Sequence, residues 1–314
     1  MKCFLGLDTS NYTTSVAAFD AEAGVLWQVK QLLPVSDGKL GLRQCDAVFH
    51  HVRQLPSLFE KLYCTIGTVP QIEAVGASNR PQQTENSYMP CFLVGEGAAR
   101  QQAVTLHKPA YFFTHQQGHV MAALYGAQLL DWRFQPFLAF HVSGGTTDAL
   151  LVKPDAQTVI TCEKVASSLD LKAGQLIDRV GGMLGLPFPA GPALEQLAQQ
   201  AQTAVKTPRP SLDGVCCHLS GVENQCKTLL QKGTPPPEIA LFCLRSIQAA
   251  LEGMVKALFS QYGEHPLLFA GGVMSNSLLK KELTERFDGH FAPPEYSADN
   301  AAGIAVLTSL LHKG

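Results

Sequence analysis

The chain has no long run of one charge sign, no C-x-x-C pair, no stretch of 18 apolar residues and no low-complexity tract. Each absence excludes something. With 24 Lys and Arg against 26 Asp and Glu, the net charge is −2, so this is not a protein whose whole surface is built to hold nucleic acid. A local basic patch, or a partner that supplies one, stays open. Without an apolar run of spanning length, no membrane helix is expected. Nine cysteines, odd in number and scattered, argue against a disulfide framework and read as free thiols in a reducing compartment. The opening Met1-Lys-Cys-Phe-Leu-Gly-Leu-Asp8 reaches an acid too soon for a signal-peptide apolar region. Together these features place the protein in the cytoplasm.

What is present is core. At 314 residues and 46% hydrophobic, the chain can form one large domain or two lobes. An apolar run from Lys2 to Leu7 is followed by the polar turn Asp8-Thr-Ser-Asn-Tyr-Thr-Thr14 and a second apolar run, Ser15 to Phe19, which reads as a hairpin. Phe137 to Val142, Ser143-Gly-Gly-Thr-Thr-Asp148 and Ala149 to Val152 repeat that design about 135 residues later, a weak internal echo that suggests a duplicated lobe. Between the hairpins, helices are predicted over 47–63 and 93–102, with a strand over 72–76. Helices follow over 169–184 and 191–200, parted by Gly185-Leu-Pro-Phe-Pro189, and then a surface connection over 203–213. A long helix over 236–262, a strand over 265–270, the turn Gly271 to Asn276, a helix over 277–287 and a closing helix to about His312 complete the pattern. Strands alternating with helices make this an α/β protein.

Two features carry chemistry. His115 and His119 are four residues apart in Thr114-His-Gln-Gln-Gly-His-Val120, which on a helix puts both imidazoles on one face, suited to a shared metal ion; a satisfied or solvent-facing histidine pair reads equally well from the spacing. A zinc peptidase of the H-E-x-x-H type needs a glutamate after its first histidine; here that position is Gln116, so the peptidase reading fails on mechanism. The second feature is three small-residue turns after apolar strands: Asp8-Thr-Ser10, Ser143-Gly-Gly-Thr-Thr147 and Gly271-Gly272. Glycines let backbone N–H groups approach an anion and hydroxyls add donors. Any one of these is also an ordinary tight turn, and Asp8 also reads as a cap of its hairpin.

The order of motifs resembles the TsaD threonylcarbamoyltransferases, a family also labelled sialoglycoprotein endopeptidase. The resemblance runs through Val142-Ser-Gly-Gly-Thr146, Gly174-Gln-Leu-Ile-Asp-Arg-Val180, Met183 to Pro192, Leu219-Ser-Gly-Val222, Ala270-Gly-Gly-Val273 with Ser275-Asn276, and Ala298-Asp-Asn-Ala-Ala302. It implies an α/β, two-lobed fold of the actin, hexokinase and heat-shock-ATPase type, with duplicated ribonuclease-H-like lobes and a nucleotide cleft between them. The expected division is 1–135 for the N-terminal lobe, with the C-terminal helix 296–314 packing back toward it, and 136–295 for the second.

By the same resemblance, His115, His119 and the distant Asp299 hold one divalent metal ion, iron(II) or zinc. His141, Val142, Ser143, Gly144 and Gly145 form the phosphate-side loop of an adenine nucleotide or adenylate site. Asp178 and Gly191 lie on its ribose and adenine side, and Asn276 contacts adenosine. Apart from the resemblance, Asp8, an acid at the end of the first strand, is the candidate auxiliary acid/base or metal-water contact. The implied reaction moves a threonylcarbamoyl group from threonylcarbamoyl-adenylate to N6 of an adenosine in tRNA, with AMP departing. Implied partners are tRNA, a threonylcarbamoyl-adenylate or ATP-like nucleotide, and small partner subunits of a modification complex, with no membrane.

Five single positions depart from the family pattern: Tyr12 and Thr13 replace acids, Gln117 and Gln175 stand where acids are usual, and Glu223 replaces a lysine; a glycine-proline-glycine segment is also replaced near Asn79-Arg-Pro81. These departures leave two alternatives open. One is a diverged paralogue acting as another carbamoyl-type transferase, as in the HypF carbamoyltransferases. The other is a non-catalytic adenylate-binding scaffold.

Overall fold

The computed structural model describes residues 1–10, 12–34, 42–203, 205–297 and 301–313. In chain order it opens with β1 (Lys2–Ser10), β2 (Thr13–Asp20), β3 (Val25–Leu32), α1 (Gln44–Ile66), β4 (Gln71–Arg80), α2 (Phe92–Leu106), β5 (Ala110–Thr114) and α3 (His115–Gly126). Then come β6 (Phe137–Val142), β7 (Thr147–Asp155), β8 (Val159–Ser167), α4 (Ala173–Met183), α5 (Gly191–Ala198), β9 (Ser211–Asp213), β10 (Cys216–His218) and α6 (Ser220–Gln231). The chain closes with α7 (Pro236–Tyr262), β11 (Leu267–Ala270), α8 (Ser277–Phe287), β12 (His290–Phe291) and α9 (Ala302–Lys313). Among the described residues, no helix is long and apolar enough to cross a membrane.

Two compact units result. One comprises Met1–Gln135, Lys153–Cys162 and Glu295–Gly314; the other comprises Pro136–Val152 and Glu163–Pro294. In the first, the sheet order is β3-β2-β1-β4-β5. β1 to β3 are antiparallel neighbours, whereas β4 and β5 join in parallel. β1 and β2 are buried along nearly their whole length, so they cannot show the alternation of a half-exposed strand. Helices cover both faces. On α1, Ala47, His51, Leu55, Leu58 and Leu62 form one buried stripe, and Gly67 ends the helix in the left-handed conformation with its N–H on Tyr63 O. On the other face α9 packs against β1, β4 and α3. A side chain at Gly303 would overlap the Gly118 carbonyl oxygen, so the α9 and α3 backbones touch there.

The second unit repeats the plan, with sheet order β12-β11-β6-β7-β8. Again the first three strands are consecutive neighbours, and a later strand, β11, joins the first of them in parallel. The echo between the two hairpins is therefore a duplicated topology. The core of this unit gathers Phe140, Val142, Leu176, Val180, Leu244, Ile247, Leu251 and Phe269 from the sheet, α4 and α7. Pro236 at the first turn of α7, where its missing N–H costs nothing, starts this 27-residue helix.

Several sequence expectations need correction. The residues read as the first hairpin tip belong largely to strands, because Thr13 and Thr14 pair in register with Ser10 and Thr9 and β-branched threonine suits a ladder. Likewise Thr147 and Asp148 start β7 rather than ending the turn. The strand over 72–76 extends over Gln71–Arg80. The helix expected from 169 begins only at Ala173, since Asp170 turns its carboxylate onto the backbone of Leu171, Leu219 and Ser220. Part of the surface connection over 203–213 pairs as β9 with β10. β3, β5, β8, β10, β12 and α6 have no counterpart among the sequence expectations.

Candidate functional site

In the first unit the site is built at the head of α3. Thr114 caps the helix: its Oγ1 accepts the Gln117 N–H at 3.1 Å, while Gln117 Oε1 accepts the Thr114 N–H at 2.7 Å. Gln117 Nε2 in turn donates to the Ile160 carbonyl at 2.5 Å. With the first turn so fixed, His115 and His119 face each other, Nε2 to Nε2 at 2.8 Å and ring centroids 4.2 Å apart. Asp8, near the end of β1 and only 1% exposed, meets His115 Nδ1 with Oδ2 at 2.6 Å and accepts the Ser10 N–H on Oδ1 at 2.8 Å.

Nearby, the fully buried His51 meets Thr14 Oγ1 with Nδ1 at 2.8 Å, and that hydroxyl donates to Gln54 Oε1 at 2.7 Å. Burial pushes the His51 pKa down to about 4, with the Asp8 charge opposing.

Two imidazole nitrogens turned to a common point suit a divalent cation. A metal bound at about 2.0–2.1 Å to each would hold them roughly 3 Å apart, a few tenths of an ångström from where they stand. Among the described residues, no group of three or more His, Cys, Asp or Glu is arranged to hold a metal ion. Asp299, the expected third ligand, lies outside the described residues. The pair thus fits two positions of a metal site.

In the second unit the turn from β6 to β7 forms a compact loop. The Ser143 N–H donates to Thr146 O at 2.8 Å and the Thr146 N–H to Ser143 Oγ at 3.2 Å. The first turn of α4 sits on it: the Gly174 N–H donates to Ser143 O at 3.1 Å, and a Cβ on Gly174 would lie 2.6 Å from Gly144 N and Cα. Around Gly144 and Gly145 themselves there is open space, since a Cβ on either would meet nothing within 4 Å. A glycine loop beside a helix N-terminus, with room in front, can take an anion. His141 pairs with Asp148 on one side and Ala270 on the other, so Gly271 arrives beside Val142. The structure thereby brings together His141, Val142, Ser143, Gly144 and Gly145 with Gly174 and Gly271.

The remaining expected residues have visible structural jobs. Asp178 Oδ1 accepts the Ala190 N–H at 2.8 Å, which anchors the residue before Gly191, the first residue of α5. Asn276 caps α8, its Oδ1 accepting the Leu279 N–H at 3.1 Å.

Sequence reasoning missed two carboxylates. Asp148 is the last residue of the noted turn, but no role was read for it; burial raises its pKa, with Lys164 and Lys172 opposing. Asp170 is also desolvated, yet the Ser220 hydroxyl and the N–H groups of Leu219, Leu171 and Ser220 outweigh that and hold its carboxyl well below the usual range. A Ser-Leu-Asp turn ahead of a helix, Ser168 to Asp170, was the signal available.

The sequence matches the TsaD family, described as tRNA N6-adenosine threonylcarbamoyltransferase, over residues 45–306. It is 30% identical over 313 residues to a tRNA N6-adenosine threonylcarbamoyltransferase of Thermus thermophilus, covering 98% of this chain and 93% of that one. The fold is similar to full-length HypF in its phosphate- and nucleotide-bound form, with TM-score 0.60 and 12% identity over 99% of this chain and 55% of that one. It is also similar to component A of the (R)-2-hydroxyglutaryl-CoA dehydratase of Acidaminococcus fermentans, with TM-score 0.56 and 15% identity over the full length of both chains.

Proposed function

The chain belongs to the TsaD family, and on that footing we propose that it transfers a threonylcarbamoyl group from threonylcarbamoyl-adenylate to N6 of an adenosine in tRNA. Family membership across most of the chain is the single observation that carries this reading. The adenosine N6 amine attacks the carbamoyl carbonyl, a C–N bond forms, the bond to the adenylate oxygen breaks, and AMP leaves as the N6 proton is released.

The chain's own residues bind and orient. The Ser143–Gly145 loop, with the α4 N-terminus behind it, takes the phosphate and its growing charge through backbone N–H groups. Asp178 and Gly191 line the ribose and adenine side, and Asn276 the adenosine side. His115 and His119, with Asp299 as the third ligand, would hold one divalent ion, iron(II) or zinc. Such an ion supplies Lewis-acid polarisation of the carbonyl when bound. The family's small partner subunits belong to the proposal as well. Support for the metal part is the facing Nε2 pair.

The test is conversion of adenosine in undermodified tRNA to its threonylcarbamoyl form, read by mass spectrometry, with the adenylate and partner subunits supplied. Product formation supports the reading. Absence of product, where the Thermus relative works in the same mixture, overturns it.

A further inference from the structure

We propose that Asp8 is the positioning residue of the histidine pair, setting the proton on His115 Nδ1 and leaving the Nε2 lone pair turned toward His119. This rests on the metal reading of the pair and adds the residue that prepares it.

The argument is one of donors and acceptors. Asp8 is 1% exposed and its two oxygens are divided: Oδ1 takes the Ser10 N–H at 2.8 Å and Oδ2 faces His115 Nδ1 at 2.6 Å. A carboxylate only accepts, so the ring nitrogen it faces is the one that carries hydrogen. A neutral imidazole has a single N–H; His115 Nε2 therefore presents a lone pair, and His119 Nε2, 2.8 Å away, donates to it. A lone pair on Nε2 is what a cation requires. The carboxylate behind the ring fixes both its tautomer and its orientation, as outer partners of metal-bound histidines do. Asp8 stands on β1, the central strand of its sheet and buried along nearly its whole length, so the ring is tied to the sheet's core.

Asp8→Asn keeps the shape and reverses the instruction. Ser10 N–H still needs an acceptor, so the amide oxygen stays on Ser10 and its NH2 group turns to His115 Nδ1. The proton is then forced onto His115 Nε2, so metal binding must displace hydrogen from both facing nitrogens instead of from His119 alone.

Two measurements decide. Long-range 1H–15N spectra of the metal-free full chain should show His115 as the Nδ1–H tautomer in the wild type and as Nε2–H in Asp8→Asn. Competition with a chromophoric chelator should show zinc affinity falling about 10–100-fold in the variant. A wild-type His115 protonated on Nε2 overturns the proposal and needs no variant to be folded. So does an Asp8→Asn protein of unchanged tautomer and unchanged zinc affinity, in which Asp8 would serve the fold alone. Should the wild type take up no zinc, the metal reading fails, while the tautomer measurement still decides the role of Asp8.

Discussion

Thr114 and Gln117 close a reciprocal pair at the head of α3: the Thr114 N–H donates to Gln117 Oε1 at 2.7 Å and the Gln117 N–H donates to Thr114 Oγ1 at 3.1 Å. Gln117 is one of the positions where this chain departs from the acids usual in its family. What the capping box asks of that position is a carbonyl oxygen, which Glu and Gln supply equally. Gln175 stands at the same place in α4, its Oε1 3.4 Å from the Lys172 N–H. Glu223, in place of a lysine, pairs with Arg179 at 2.9 Å. Thr13 continues the β1–β2 ladder opposite Ser10. Nothing in the structure explains Tyr12. Four of the five departures thus have a place in the fold, and none of those observations favours a paralogue or a scaffold over the transferase.

Restoring the acid by Gln117→Glu keeps the cap and loses the donor to the Ile160 carbonyl, leaving two oxygens opposed in a buried site. The variant should be destabilised by about 1–3 kcal/mol. Urea unfolding reads the loss, and transfer per folded molecule should not rise.

Acid stability should carry a histidine signature. The His51 pKa drops from 6.5 to about 4 on folding because the ring is buried. Between those values the unfolded chain binds a proton that the folded chain refuses, so stability falls as pH drops through 6.5 and the loss is complete near 4. The loss is on the order of 3 kcal/mol. In His51→Gln the slope of unfolding free energy between pH 6.5 and 4 should be shallower than in the wild type. Equal slopes would contradict the assignment.

Asp170 acts in the same direction, lower on the pH scale. Its carboxyl is held below the usual range in the folded state, so its contribution is present above about pH 4 and fades as pH falls further. Asp170→Ala should cost about 1–2 kcal/mol at neutral pH, as loss of a helix-type cap does. The difference from wild type should shrink in acid, which denaturant midpoints at two pH values will show.

The fold class was legible because both hairpins and the long helices show their period or their apolar runs directly. The pair His115 and His119 was legible from its spacing, and the structure places both on α3. Asp8's engagement of His115 was not, because 107 residues separate the two and only the pairing of β1 with β4, and of β4 with β5, brings them together. The same holds for Asp170, whose partners Leu219 and Ser220 are about fifty residues on. β3 was missed for a different reason: Val25–Leu32 is mostly exposed or half-buried and mixes Gln and Lys with its apolar residues, so neither period dominates.

Backbone contact between helices gives a further test. Gly303→Ala puts a methyl group onto the Gly118 carbonyl oxygen, so α9 must shift against the turn that carries both histidines. Overpacking of this kind costs about 1–3 kcal/mol. The melting temperature should fall, and zinc affinity should weaken with it because the histidine turn moves.

The most direct test of the central claim is a single-turnover transfer assay on the wild type and on His119→Ala, with threonylcarbamoyl-adenylate, tRNA and the partner subunits, read as threonylcarbamoyladenosine by mass spectrometry. The account predicts product from the wild type and almost none from a folded His119→Ala protein. Equal yields from the two, or none from the wild type beside an active Thermus relative, would contradict it.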